Sequence, residues 1–177
     1  MKQSSKCAIG GIVAALSLVL MISVAIVPFM TYALPAAAGA LMIFAVIEID
    51  KKWAFGIYAT VAILGIFLVP EKEVAVMYLA FFGYYPIVKA LIESKTKKVL
   101  EWVLKSGMFI CTMVVSYWLM MKFIGLEIDE MQEWGMMAIP ILLGIGTLAF
   151  VMYDIALTKV IIIYNLKWRR LFKRFFK

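Results

Sequence analysis

The sequence lacks histidine, and it has few charged residues and only two cysteines. Asp, Glu, Lys and Arg make up 16% of the 177 residues, whereas about 25% is usual in soluble domains. The lack of histidine removes the commonest general base and a frequent metal ligand. Cys7 and Cys111 form no CxxC pair, and the chain contains neither a GxSxG motif nor a Gly-rich phosphate loop. We therefore expect no enzyme, no metal site and no cofactor.

Apolar residues, in contrast, make up 66% of the chain. One globular core cannot hide so much apolar surface, so lipid must be the solvent for much of it. Because roughly 20 apolar residues cross the hydrocarbon core as a helix, we predict one all-α membrane domain, residues 1–177, with six transmembrane helices. The predicted spans are residues 7–27, 33–47, 53–69, 74–92, 102–124 and 135–164, of which the second is short and the sixth is long.

The positive charges alternate with the spans in a way that predicts their direction. If the N-terminus lies in the cytoplasm, most lysines and the basic C-terminal tail fall on the cytoplasmic side, as the positive-inside rule requires. These are Lys2, Lys6, Lys51, Lys52, Lys95, Lys97, Lys98 and the tail, whereas the acidic segment 125–134 falls outside. We expect a multi-pass protein of the cell membrane with both termini in the cytoplasm.

The C-terminal tail, residues 166–177, combines basic and aromatic residues. Trp168, Leu171, Phe172 and Phe175 follow an i, i+3, i+4, i+7 pattern, which places them on one face of a helix. Such a helix lies on the anionic inner leaflet or continues the last span. Lipid rather than nucleic acid is therefore the partner that the net charge of +7 indicates. The tail serves either as a topological anchor or as a docking site for a cytoplasmic partner.

The first predicted span carries two pairs of small residues at a spacing of four. Gly10 and Ala14 form one pair, and Gly11 and Ala15 form the other. Small residues at this spacing let two membrane helices approach closely. The pairs indicate either packing inside the bundle or docking to another subunit.

Charged residues inside predicted spans form a second group of candidates, because an unpaired charge in hydrocarbon costs about 3 kcal/mol. Asp154 is the clearest case, and Lys89, Glu48 and Lys159 lie at comparable depth. We predict that these four residues cluster in the cytoplasmic third of the bundle. A structural ion pair is the favoured interpretation, and a proton or ion relay is the alternative.

Aromatic and hydroxyl side chains define a possible substrate site. Pro86 predicts a kink in the fourth span near Gly83, and Tyr84 and Tyr85 could line the gap that a kink opens. Towards the outer face, Thr31, Tyr32, Tyr78 and Trp134 form a rim. An aromatic belt at the membrane interface is the favoured interpretation of each rim residue taken singly, and it would explain Tyr84 and Tyr85 equally well.

The opening segment Lys6–Leu20 and the proline-containing connection Pro28–Leu34 resemble the substrate-binding (S) components of energy-coupling-factor (ECF) vitamin transporters. The resemblance implies six helices and a pocket near the outer face, built largely by the last three helices. It also implies a transmembrane coupling subunit, which Gly11 and Ala15 would contact, and two partner ATPases, because this chain has no Walker motif. Tyr32, Tyr78, Tyr117 and Trp134 would be candidates for the pocket that binds a vitamin-like molecule.

Two other functions fit the same residues. A membrane scaffold would use the small-residue faces and the basic tail for assembly alone. A secondary transporter would use Asp154 to couple uptake to an ion gradient.

Overall fold

The computed structural model describes residues 3–119 and 138–169, and every regular element in these ranges is helical. The α-helices are α1 (Gln3–Ile22), α2 (Ala33–Glu48), α3 (Lys51–Leu68), α4 (Lys72–Met77), α5 (Tyr85–Lys95), α6 (Lys98–Leu119) and α7 (Ala138–Ile163). Short 3-10 turns at Ser23–Ala25 and Pro28–Met30 join α1 to α2. Two π-helical segments, Tyr78–Phe82 and Tyr164–Trp168, follow α4 and α7.

Five helical stretches are long and apolar enough to cross a membrane. They are Gln3–Ala25, Lys51–Leu68, Lys72–Ser94, Lys98–Ser116 and Leu143–Lys167, whereas Ala33–Glu48 is a shorter apolar helix. The prediction of an all-α membrane protein is confirmed at this level. The ends of the last two predicted spans, at 120–124 and 135–137, and tail residues 170–177 lie outside the described residues.

Large apolar side chains cover the outside of the bundle. Ile12, Phe67, Val99 and Leu148 are each more than half exposed, and they come from four different helices. Soluble monomers rarely expose apolar surface on this scale. A hydrocarbon environment removes the penalty, and helices satisfy their backbone hydrogen bonds without water.

The interior divides into two cores that meet at α2. The first core is mostly aliphatic and lies among α1, α2, α3 and α4. The second is aromatic and joins α2 to α5, α6 and α7. In the aromatic core, the rings of Phe109 and Phe150 stack at 4.7 Å between centroids, and those of Phe81 and Tyr85 stack at 4.9 Å. These rings hold the three C-terminal helices against α2.

The fourth span is interrupted where the sequence predicts a kink. The π-helical segment Tyr78–Phe82 gives way to α5, and Pro86 occupies the first turn of α5, where its missing N–H breaks no helical hydrogen bond. The α2 backbone passes directly over this segment at Gly39. A Cβ atom at position 39 would lie 2.3 Å from the carbonyl oxygen of Phe82, so only glycine allows this approach.

Candidate functional site, a buried ionic network

Three helices bring charged side chains together inside the bundle. Lys89 of α5 and Lys105 of α6 are each 1% exposed, and Asp154 of α7 is 4% exposed. Lys105 lies about 10 Å from the first residue of its helix, well inside a segment of membrane-spanning character. Charges at such depth persist only when they are paired and hydrogen-bonded.

Asp154 is the centre of the network. Lys89 Nζ lies 2.5 Å from Asp154 Oδ1, and the Tyr85 hydroxyl donates a hydrogen bond of 2.5 Å to the same oxygen. Lys105 Nζ lies 3.3 Å from the carboxylate. One carboxylate is thus compensated by two ammonium groups and one hydroxyl, of which Lys89 and Tyr85 come from α5 and Lys105 comes from α6.

Two glutamates extend the network towards the end of the bundle where α5 and α6 are connected. Glu93 Oε1 lies 2.8 Å from the Nζ atoms of both Lys89 and Lys105. Glu101 Oε1 lies 2.6 Å from Lys105 Nζ. The Glu93 side chain is 35% exposed and the Glu101 side chain is 18% exposed, so the network runs from a dry interior to a partly solvated edge.

Helix geometry explains why these residues meet. Lys89 and Glu93 are an i, i+4 pair on α5, and Glu101 and Lys105 are an i, i+4 pair on α6, so each pair shares one helix face. Only two residues separate the end of α5 from the start of α6. This tight connection places the two pairs side by side, and Asp154 of α7 then meets both lysines.

The four residues predicted to cluster are divided by the structure. Lys89 and Asp154 are brought together, but Glu48 lies beside the last described turn, with Arg169 Nε 3.6 Å from its Oε1. Lys159 is exposed, because five residues along a helix rotate the side chain by about 140° from Asp154. The prediction was wrong about the position of Glu48 and Lys159 around the bundle, because neither lies in the network with Lys89 and Asp154.

Three members of the network were missed from the sequence, namely Glu93, Glu101 and Lys105. The available signal was the pair of opposite-charge i, i+4 spacings on either side of a short connection. Tyr85 was considered for a substrate site, but its hydroxyl is directed at Asp154.

The residues predicted to bind substrate lie in different surroundings. The Tyr84 hydroxyl is 2.6 Å from Thr112 Oγ1 and forms a hydrogen bond with it. Tyr78 is fully buried in the first core. Thr31 donates a hydrogen bond of 2.6 Å to the carbonyl of Pro28, and Tyr32 is exposed. The Tyr117 side chain and Trp134 lie outside the described residues.

The two small-residue pairs of α1 face different ways. Gly10 is buried, and a Cβ atom there would lie 3.1 Å from Ile57 Cδ1, while Ala14 is half-buried. Gly11 and Ala15 are exposed, and no heavy atom lies within 4 Å of a Cβ built at Gly11. The first pair therefore packs α1 inside the bundle, and the second points outwards.

The chemistry available in the network is electrostatic. Because two ammonium groups occupy the Asp154 carboxylate, it does not offer a vacant cation site. Within residues 3–119 and 138–169, no group of three or more Cys, Asp or Glu side chains is placed to hold a metal ion. Comparison with known protein families, curated proteins and solved structures finds no match to this chain.

Proposed function

We propose that this protein is the small-molecule-binding membrane component of an ECF-type uptake complex. It would bind a vitamin-like compound near the outer face and deliver it with a transmembrane coupling subunit and partner ATPases. The observation that carries the proposal is the outward pair Gly11 and Ala15 on α1, which is exposed although the neighbouring pair Gly10 and Ala14 is used for internal packing.

A partner helix could contact this outward face closely. Gly11 has no side chain, so the α1 backbone is exposed there. A partner helix can therefore approach closely and make dispersion contacts that lipid chains do not provide. Ile12 and Val19, each more than half exposed, would flank the contact as larger apolar side chains. The outward face thus has small residues, Gly11 and Ala15, at its centre and larger apolar side chains, Ile12 and Val19, at its edges.

The proposal includes six crossings of the cell membrane with both termini in the cytoplasm. The short helix α2 is compatible with a crossing, although its 16 residues span only about 24 Å of the roughly 30 Å hydrocarbon core. It packs against α1, α3 and α5 and carries residues of both cores. A helix surrounded by protein in this way does not have to match the lipid thickness. The alternation of basic segments supports the direction of each crossing.

The ionic network has a structural role in this proposal. It joins α5, α6 and α7 at the end of the bundle that carries the basic connection between α5 and α6. The opposite ends of these helices would then be available to surround a ligand. Tyr84 and Thr112, on α5's N-terminal side and on α6, supply a hydroxyl pair of the kind that fixes a small molecule.

Ion-coupled transport through Asp154 is less well supported. A coupling carboxylate has to exchange a proton or cation during transport, but the Asp154 carboxylate is held by Lys89, Lys105 and Tyr85. Breaking such a buried pair leaves an uncompensated charge, which costs about 3–5 kcal/mol. The paired geometry therefore favours a permanent structural contact.

The test is co-purification of the tagged chain from its own membranes. We expect the wild-type protein to bring down an integral membrane partner and an ATPase, and Ala15→Leu to lose both while it keeps its fold and its small molecule. Ala15 is exposed, so a leucine there changes the outward face without disturbing the core. A wild-type preparation without any ATPase, or an Ala15→Leu complex of unchanged composition, would contradict the proposal.

A further inference from the structure

A groove runs along the surface between α1 and α3. Its volume is about 540 Å³, and nine residues line it, namely Cys7, Gly10, Gly11, Ala14, Lys52, Trp53, Gly56, Ile57 and Thr60. It begins at the end of the bundle where both helices start, and it opens sideways, towards the surface that faces lipid. The ionic network does not use it, and of the outward pair on α1 it includes Gly11 but not Ala15.

Glycines on both helices create the groove. No heavy atom lies within 4 Å of a Cβ built at Gly11 or at Gly56, so the space beside each backbone is open. The one hydroxyl of the wall, that of Thr60, donates its hydrogen bond to the carbonyl of Gly56 at 2.9 Å. The groove wall beyond its mouth is therefore apolar, and it would bind an apolar group.

A positive charge stands at the mouth of this groove. Lys52 is exposed in the first turn of α3, next to the half-buried Trp53. Among the described residues no carboxylate is within ion-pair distance of Lys52. A basic residue at the interface above an apolar groove between helices is the arrangement that binds anionic lipid headgroups.

The length of the groove matches one lipid chain. From Lys52 to Thr60 the helix rises about 12 Å, close to the roughly 15 Å of hydrocarbon in one leaflet. We propose that, where no partner helix covers α1, the groove binds an anionic phospholipid, with one acyl chain along Gly11 and Gly56 and the phosphate at Lys52.

This inference can be tested separately from the uptake function. Gly11 belongs to both surfaces, but the test variants do not. Ala15 lies outside the groove lining, and Gly56 lies on α3 rather than on α1. Gly56→Leu fills the groove, and Lys52→Gln removes the charge at its mouth. Lys97→Gln is the matched control, because Lys97 is also exposed and follows α5 outside the groove.

The experiment uses Trp53 as the reporter. The protein is reconstituted with Trp53 as its single tryptophan, the other four being replaced by phenylalanine, in vesicles of phosphatidylcholine containing a small fraction of brominated lipid. We expect brominated phosphatidylglycerol to quench Trp53 about fivefold more effectively than brominated phosphatidylcholine. Lys52→Gln should abolish this preference, Gly56→Leu should reduce quenching by both lipids, and Lys97→Gln should change neither.

Equal quenching by the two lipids, or a preference that survives Lys52→Gln, would overturn the inference. Where the single-tryptophan variant does not fold, native mass spectrometry of the otherwise unaltered chain tests the same lipid preference. Retention of phosphatidylglycerol over phosphatidylcholine by the wild type, lost in Lys52→Gln, supports the lipid site. Equal retention of the two lipids by the wild type would contradict it.

Discussion

The Nζ atom of Lys89 lies 2.5 Å from the Asp154 carboxylate, in a part of the helix bundle that excludes water almost completely. The two residues come from helices α5 and α7, which are separated along the chain by the whole of α6. Their pairing therefore holds α5 beside α7. Lys105 of α6 contacts the same carboxylate. The charged centre holds the three helices together, and the aromatic core lies against it.

Removal of Lys89 tests how strongly the pair stabilises the fold. Lys89→Met leaves the Asp154 carboxylate with one ammonium group, that of Lys105 at 3.3 Å. We therefore expect the free energy of unfolding in detergent to fall by about 3 kcal/mol. Lys97→Met, an exposed position outside the network, should change it little. Equal stability of the two variants would show that the Lys89–Asp154 pair does not stabilise the fold.

A double-mutant cycle separates the pair from its surroundings. Lys89→Met and Asp154→Leu should each destabilise strongly, whereas the double variant should be more stable than the sum of the single effects predicts, by about 1–3 kcal/mol. The reason is that neither charge is then left without its partner. Thermal unfolding of the four proteins provides the measurement, and strictly additive effects would contradict the prediction.

The hydroxyl of Tyr85 is predicted to matter more than that of Tyr84. Tyr85→Phe removes a hydrogen bond to a buried carboxylate and should lower the stability by about 2 kcal/mol, as bonds to charged groups do. Tyr84→Phe removes a bond between two hydroxyl groups and should lower it by about 1 kcal/mol. Denaturation of the two matched variants checks the order, and the reverse order would place the stabilising contact elsewhere.

Among Gly10, Gly11, Gly39 and Gly56, Gly39 is predicted to tolerate substitution least. A Cβ atom there meets the Phe82 backbone at 2.3 Å, so Gly39→Ala must separate α2 from the π-helical segment and should destabilise the protein by about 2 kcal/mol. Gly56→Ala is the control, because its Cβ meets open space and alanine favours the helix by about 0.5 kcal/mol. Gly39→Ala should therefore lower the thermal stability, and Gly56→Ala should raise it. An unchanged stability of Gly39→Ala would contradict the close approach of α2 to the π-helical segment.

The sequence was sufficient to predict the helical class and the approximate positions of the long apolar helices, because a bilayer requires long apolar runs whatever the side chains are in detail. It also indicated the interruption at Pro86, since proline constrains its own backbone. Hydropathy gave an expected depth for Lys89, Asp154 and Glu48, but depth does not specify which helices are neighbours. This is why Glu48 was placed with Asp154, although it lies beside Arg169.

The division of small residues on α1 could not be predicted either. Gly10 and Gly11 are adjacent in sequence and identical in chemistry, yet one is buried against Ile57 and the other is exposed. A rotation of about 100° per residue separates their surroundings, and only the position of α3 decides which is which. The same holds for Lys105, whose role depends on the tight connection between α5 and α6.

The most direct test of the uptake function is mass spectrometry of the small molecules released when protein purified from its native membranes is denatured. The proposal predicts one compound in a stoichiometric amount, retained equally by the wild type and by Ala15→Leu, because ligand binding and partner docking use different surfaces. A preparation that releases no compound above the level of an unrelated membrane protein purified in parallel would contradict the assignment as a substrate-binding component.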